Sequence, residues 1–218
     1  YTSKNCQLKF WGFESNGTNT LCFIGANAEK VLIKVINYLE KQKVAFTTTK
    51  DCNELIEYIG NKEANFIDTK ELGRNFKNGN FDKTSFNEFS QFLETHIPRK
   101  LKKHQLKSAY HLYLVGNGAN FSVPGSGKTT VVLSVYEKLK AEGKVNVLFV
   151  VGPPACFGPW KHEFAETIGK KPNSKTLAGG NKDIRKGEYF ATKDTKAELY
   201  LTTFQTLIND QEEINIFF

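Results

Sequence analysis

Apolar and polar positions along this chain follow two rhythms, and the change between them falls near residue 95. Before it, Gln7 to Phe13 and Thr20 to Ile24 read as strands, with Asn16-Gly17 between them as a turn signal. Ala28, Val31, Leu32, Val35 and Leu39 recur at three- and four-residue spacing, which predicts a helix over about 27–41 with one apolar face. Val44 to Thr48 reads as a further strand, and Asp51 with Glu54 as the capping box of a short helix ending at Gly60. The Asn-, Lys- and Gly-rich stretch from Asn61 to Asp82 reads as loop with short elements. Ser85 and Glu88 make a second capping box, ahead of a helix lined by Phe86, Phe89, Phe92 and Leu93. Together these elements predict a small α+β N-terminal domain over residues 1–95.

From Pro98 the pattern turns to regular alternation of helix and strand. A helix over about 101–115 is stopped by Gly116, Asn117 and Gly118, and Ala119 to Val123 reads as a short strand. A glycine-containing loop, a helix over about 128–141, the cap Gly143 and the apolar strand Val145 to Val151 would complete a βαβ unit. A helix over 159–168, a strand over 175–177, a helix over 181–190 and a strand over 199–203 extend it. A further strand is expected soon after, since Glu213 to Phe218 has only begun to turn apolar. Residues 96–218 are thus expected to be an α/β domain built on a parallel sheet.

Composition narrows the partners. The 218 residues suit one large domain or two small ones, and the share of Phe, Leu, Ile and Val is enough for a substantial core. A net charge of +7 favours polyanions, nucleic acid among them. Cys6, Cys22, Cys52 and Cys156 have neither Cys-x-x-Cys nor metal-ligand spacing, which fits thiols in a reducing cytoplasm. The longest apolar run, Val147 to Val151, falls far short of the roughly 20 residues that span a bilayer, so no membrane partner is expected. With Tyr1 first and no Met, the chain reads as a piece of a longer translation product.

The strongest chemical signal is Ser122-Val-Pro-Gly-Ser-Gly127-Lys128-Thr129, the P-loop (Walker A) pattern with Ser122 in place of its first Gly. Such a loop presents backbone N–H groups and a helix N-terminus to phosphates, so Pro124, Gly125, Ser126 and Gly127 are expected to cradle them. Lys128 is expected to reach the β- and γ-phosphates of ATP, and Thr129 to ligate Mg²⁺. These two residues are the catalytic candidates. Thr130 falls either near the α-phosphate or in the packing of the domain.

With the P-loop, three further segments make the region Leu101 to Leu207 resemble superfamily 2 helicases and translocases, most closely the Swi/Snf-type ATPases and the motors of restriction and phage-defence systems. Leu101-Lys-Lys-His-Gln105 resembles the segment whose Gln recognises adenine, a role that the donor and acceptor of the Gln105 amide suit; a solvated Gln is the plainer alternative. Phe149-Val-Val-Gly-Pro-Pro154 with Trp160-Lys-His-Glu-Phe164 is similar to the family's motif Ia and the helix after it. The resemblance places Pro154 at nucleic acid and Trp160 in the core. Leu201-Thr202-Thr203-Phe204 resembles motif Ib, whose Thr hydroxyls hold a phosphate; β-propensity alone also explains two Thr at a strand end.

The resemblance implies a RecA-like first motor lobe, binding ATP and Mg²⁺ and acting on duplex DNA. Residues 1–95 are left for a partner protein. Arg99, Lys100, Lys102, Lys103 and Lys107 read either as a solvated face or as phosphate contacts. The family's acidic Asp-Glu pair does not appear, since no apolar strand leads into Asp210, Glu212 and Glu213. This stretch alone is therefore expected to hydrolyse ATP poorly. An RNA helicase of the same superfamily, a binding module with a vestigial nucleotide site, and an unrelated P-loop enzyme are the alternatives.

Overall fold

The computed structural model describes residues 8–15, 20–23, 28–189 and 197–217. The chain divides into two compact units, Tyr1–Lys70 and Glu71–Phe218. The division therefore comes earlier than the expected boundary near residue 95, because the Phe-lined helix packs with the second unit.

In the first unit, strands β1 (Phe13–Ser15) and β2 (Leu21–Phe23) pair antiparallel, Phe13 opposite Phe23. The expected first strand is displaced: residues 8–10 are helical, and pairing begins only at Phe13. The Asn16-Gly17 turn lies outside the described residues. Helix α1 (Ala28–Lys41) forms as its spacing predicts and buries Leu32 and Val35. Val35 packs with Leu8 and Phe13, while Trp11 meets the Tyr38 ring edge-on at 5.4 Å.

Helix α2 (Lys50–Lys77) corrects two expectations at once. It does not stop at Gly60, and it absorbs most of the expected loop. Its interior glycines, Gly60 and Gly73, cost only about 1 kcal/mol each, and the Lys, Glu, Ala and Leu around them are strong helix formers. Its first turn is held by Thr49, whose hydroxyl accepts the Cys52 amide at 3.4 Å, rather than by an Asp51/Glu54 box. Val44 to Thr48 forms no strand: no neighbouring strand offers it a ladder, and Val44 and Phe46 are exposed.

In the second unit, which begins within the last turns of α2, comes α3 (Lys83–His96), whose cap is Asp82 rather than Ser85. The Asp82 carboxylate accepts the amides of Thr84 and Ser85 at 2.9 and 3.2 Å and the Ser85 hydroxyl at 2.5 Å. Phe89 and Leu93 of α3 bury against Ala109 and Tyr110 of α4 (Lys103–Val115) and Val131 of α5 (Lys128–Ala141). Three strands follow: β3 (Leu148–Val151), β4 (Ser174–Leu177) and β5 (Leu199–Thr202), in the parallel order β3-β5-β4.

Between them run α6 (Phe157–Ile168) and α7 (Lys182–Tyr189); α8 (Phe204–Asn209) and α9 (Gln211–Phe217) come last. Leu199 and Leu201 of the central strand pack one way, onto Leu133 and Tyr136 of α5 and Phe157, Phe164 and Ile168 of α6. Tyr200 packs the other way, with Leu177, Tyr189 and Ile214. The result is a three-layer α/β arrangement around a parallel sheet.

One predicted strand is absent from that sheet among the described residues. Ala119 to Val123 pairs with nothing, and Phe121 is 93% exposed, so the expected βαβ unit lacks its first strand. The Asn120 side chain accepts the Ser122 amide at 3.1 Å and turns the chain there instead. Glu213 to Phe217 is helical: the Ile214 amide donates to the Asp210 carbonyl at 3.0 Å, and Glu212 and Glu213 suit the first turn of a helix.

Among the described residues of this unit Asp210 is the most buried charge, at 0% exposure. Arg185 grips it with Nε to Oδ2 at 2.6 Å and Nη2 to Oδ1 at 2.9 Å, and the Tyr189 hydroxyl donates at 3.0 Å. The Arg185 bonds hold the carboxyl below its ordinary range near 3.8. A depressed acid stabilises the fold above its unfolded pKa, and that contribution disappears as pH falls through the lower folded value. Asp210→Asn is expected to lower stability in urea at neutral pH by about 3 kcal/mol, since it strands a largely buried guanidinium. The gap between variant and wild type should close as pH drops below the carboxylate range.

Candidate functional site

The first turn of α5 and the loop before it form the site. Gly127 caps α5 in the left-handed conformation (φ 83, ψ 40), and Gly125 also has a positive φ of 77. Among non-glycine residues only a strained one would hold such angles. The Ser126 amide donates to the Val123 carbonyl at 3.2 Å, closing a tight turn over Pro124 and Gly125. The first amide bonded within the helix is that of Val131, to the Gly127 carbonyl at 3.0 Å. The N–H groups of Lys128, Thr129 and Thr130 therefore have no carbonyl a turn earlier to use, which is the donor set that suits a phosphate.

Lys128 folds back over this turn. Its ammonium donates to the carbonyls of Ser122 and, at 3.2 Å, of Val123. The hydroxyls of Ser122 and Ser126 meet at 2.7 Å across the loop. Ser122, in the place of the pattern's first Gly, thus helps to hold the loop shut.

Helix α4 closes the other side. Gln105 Nε2 donates to the Ser126 carbonyl at 3.0 Å, and its Oε1 accepts the Lys102 amide at 2.9 Å, capping α4. The structure therefore brings Gln105 to the loop, with both ends of its amide engaged by protein. His104 Nε2 reaches the same Ser126 carbonyl at 3.2 Å, a loop contact that nothing in its sequence position announced. The approach is close: a Cβ built on Gly127 would come within 2.1 Å of Gln105 Nε2.

Thr129 and Thr130 part company one residue apart. Thr129 is partly exposed in the first turn of α5, whereas Thr130 is 1% exposed and donates to Glu163 Oε1 at 2.5 Å. Thr130 thus takes the packing role of its two alternatives. Arg99 donates to the same Glu163 oxygen, and to the Thr130 hydroxyl at 3.3 Å. Glu163 is not among the expected site residues, yet it holds these two side chains beside the loop. The signal was its place beside Phe164 on the buried side of α6, where a carboxylate needs partners. Lys100, Lys102, Lys103 and Lys107 are exposed or nearly so, as a solvated face would be.

The residues expected at nucleic acid divide the same way. Pro154 is exposed in the 3-10 turn Pro154–Cys156 that follows β3. Thr203 caps α8, accepting the Thr206 amide at 3.2 Å, just beyond β5. Both lie at the carboxyl edge of the sheet, where the Gly152 amide bonds the Thr202 carbonyl at 2.9 Å. Thr202 is a correction: it is 0% exposed, and its hydroxyl donates to the Leu177 carbonyl at 2.6 Å, so it cannot face a phosphate. Trp160 packs partly buried against the α5–α6 core, as expected.

Gly127→Ala combines a disfavoured backbone with a clash against Gln105, and should cost about 1–2 kcal/mol in thermal or urea denaturation. Adding Gln105→Ala removes the clash but not the backbone strain, so the double variant should recover part of that loss. Full additivity of the two substitutions would show that the Gln105–loop contact is absent.

No curated protein matches the chain closely enough to count as a relative. Residues 117–216, from just ahead of the loop through nearly all of α9, match the family model of the type III restriction enzyme, res subunit. The match takes in the loop, the sheet and the Glu163 helix and leaves out Gln105, covering 100 of the 218 residues. Over that stretch the chain is similar to a helicase-like ATPase family, and its three-stranded parallel sheet is consistent with a RecA-like lobe.

Proposed function

We propose that the second unit is the ATP-binding lobe of a nucleic-acid-dependent ATPase that translocates along duplex DNA, related to the Swi/Snf-type and restriction-type motors. The observation that carries this reading is the loop itself. Two positive-φ glycines, a lysine ammonium turned inward and the unpaired amides of a helix start converge on one point.

These residues fit a magnesium-bound triphosphate. Lys128 exchanges the Ser122 and Val123 carbonyls for β- and γ-phosphate oxygens. The amides of Gly125, Gly127, Lys128, Thr129 and Thr130 would face the same oxygens, and Thr129 would offer its hydroxyl to Mg²⁺. The metal supplies charge neutralisation of the transferring phosphoryl group. Gln105 gives up its bond to Ser126 or to Lys102 when it reads adenine. Pro154 and Thr203, on the carboxyl edge of the sheet, contact the phosphate backbone without reading bases.

Asp210 and Glu213 have no part in the metal site. Asp210 is spent on Arg185, and Glu213 pairs with Lys182 at 3.2 Å and Lys186 at 3.3 Å. Hydrolysis by this chain alone is accordingly slow. The net charge of +7 favours a polyanionic track, and among the described residues no helix is long and apolar enough to cross a membrane. The first unit serves as a docking module for a partner protein.

Binding of a fluorescent ATP analogue with Mg²⁺ tests the nucleotide reading. Lys128→Ala is expected to weaken it at least tenfold, since loss of a charge-assisted contact costs about 1.5–3 kcal/mol. Unchanged binding in that variant would refute the reading. Duplex DNA, single-stranded DNA and RNA added in turn should separate a duplex translocase from an RNA helicase.

A further inference from the structure

Glu163 lies at a junction that the nucleotide reading does not use. Its Oε1 accepts the Thr130 hydroxyl at 2.5 Å and the Arg99 guanidinium, and Arg99 also reaches the Thr130 hydroxyl at 3.3 Å. Each partner belongs to a different part of the site. Thr130 follows Thr129 in the first turn of α5. Arg99 lies four residues ahead of the start of α4, the helix that holds Gln105 and His104 against Ser126. Glu163 itself rides on α6, which continues directly from the Pro154 turn at the carboxyl edge of the sheet.

Helix α6 has no freedom to move without its carboxylate. Phe157, Phe164 and Ile168 bury it on the core shared with α5, so a shift at the Pro154 turn displaces the helix as a body. The Glu163 side chain is only 24% exposed and that of Arg99 35%, so water screens the pair weakly. Removing either partner leaves a partly buried charge with one bond fewer, and removing Glu163 also takes from Thr130, at 1% exposure, the acceptor of its hydroxyl.

We infer that Glu163 is a positioning residue that couples occupancy of the nucleic-acid edge to the nucleotide loop, through Thr130 on one side and Arg99 on the other. The inference rests on the nucleotide and nucleic-acid reading above. It adds a link between the two sites. A phosphate backbone drawn onto the Pro154 turn shifts α6, Glu163 carries the shift to the first turn of α5 and the start of α4, and the amides that hold the nucleotide are re-aimed. By reciprocity, bound nucleotide tightens nucleic-acid binding by the same factor.

The test is affinity of the full chain for the fluorescent ATP analogue with Mg²⁺, measured with and without a short duplex oligonucleotide. Wild type should show a ratio of about fivefold or more between the two conditions. Glu163→Gln keeps volume and one acceptor oxygen but loses the charge facing Arg99; Thr130→Val removes the hydroxyl at nearly constant shape. Both should bring the ratio towards one, and the double variant should go no further than the stronger single, because both act on one bond.

A purely structural role predicts otherwise: lower melting temperatures and weaker nucleotide binding, with the ratio kept. That result in either folded variant overturns the inference. So does a wild-type ratio of one with nucleotide binding intact, which leaves the ATP reading standing. Nucleotide binding that is absent, or indifferent to Lys128→Ala, brings down the ATP reading and this inference with it.

Discussion

Everything in the second unit depends on keeping one strand dry. β5 is buried along its whole length, so each of its amides and carbonyls must be paired inside the protein. β3 and β4 meet that demand from either side in matching parallel register, Leu148 and Ser174 both opposite Leu199. Side chains of β5 alternate between two apolar layers, which is why helices cover both faces. Even the Thr202 hydroxyl is spent inward, on the Leu177 carbonyl. With the sheet sealed, the chain has one place to expose chemistry: the loops beyond the strand ends and the helix start beside them.

How much of this could be read from residues alone follows from where information is local. Helices α1, α4, α5 and α6 carry apolar spacing and appear within about two residues of their predicted bounds. The P-loop is equally local, since the glycines at 125 and 127 answer a backbone requirement of the loop itself. Strands are different. Val44 to Thr48 and Ala119 to Val123 have the composition of strands, but a strand exists only where another offers hydrogen bonds, and no residue within the segment records that. Thr202 failed for a related reason: whether a strand-end hydroxyl faces solvent or a neighbouring carbonyl is set by the register with β4, 25 residues away. Asp82 was missed as a cap because Ser85 with Glu88 satisfies the same pattern.

Charge placement separates two kinds of ionic contact. Arg185 of α7 and Asp210, between α8 and α9, form a buried bidentate pair that ties the last helices to α7. Arg99 and Glu163 lie nearer the surface and join segments that each hold part of the loop's surroundings. The first is a rivet. The second is less buried, with 35% of the Arg99 side chain and 24% of the Glu163 side chain exposed.

The inward fold of Lys128 has a consequence for the energetics of occupancy. On the nucleotide reading proposed above, a phosphate arriving at this loop would meet an ammonium already bonded to two carbonyls. Binding is therefore an exchange, in which the gain is the difference between an ionic contact and two contacts surrendered. The loop spends part of any ligand's attraction on its own opening, so affinity falls below what the same donors held open would give. In return, the Lys128 bonds hold the loop's own shape, and release of such a ligand would restore them instead of leaving a stranded charge.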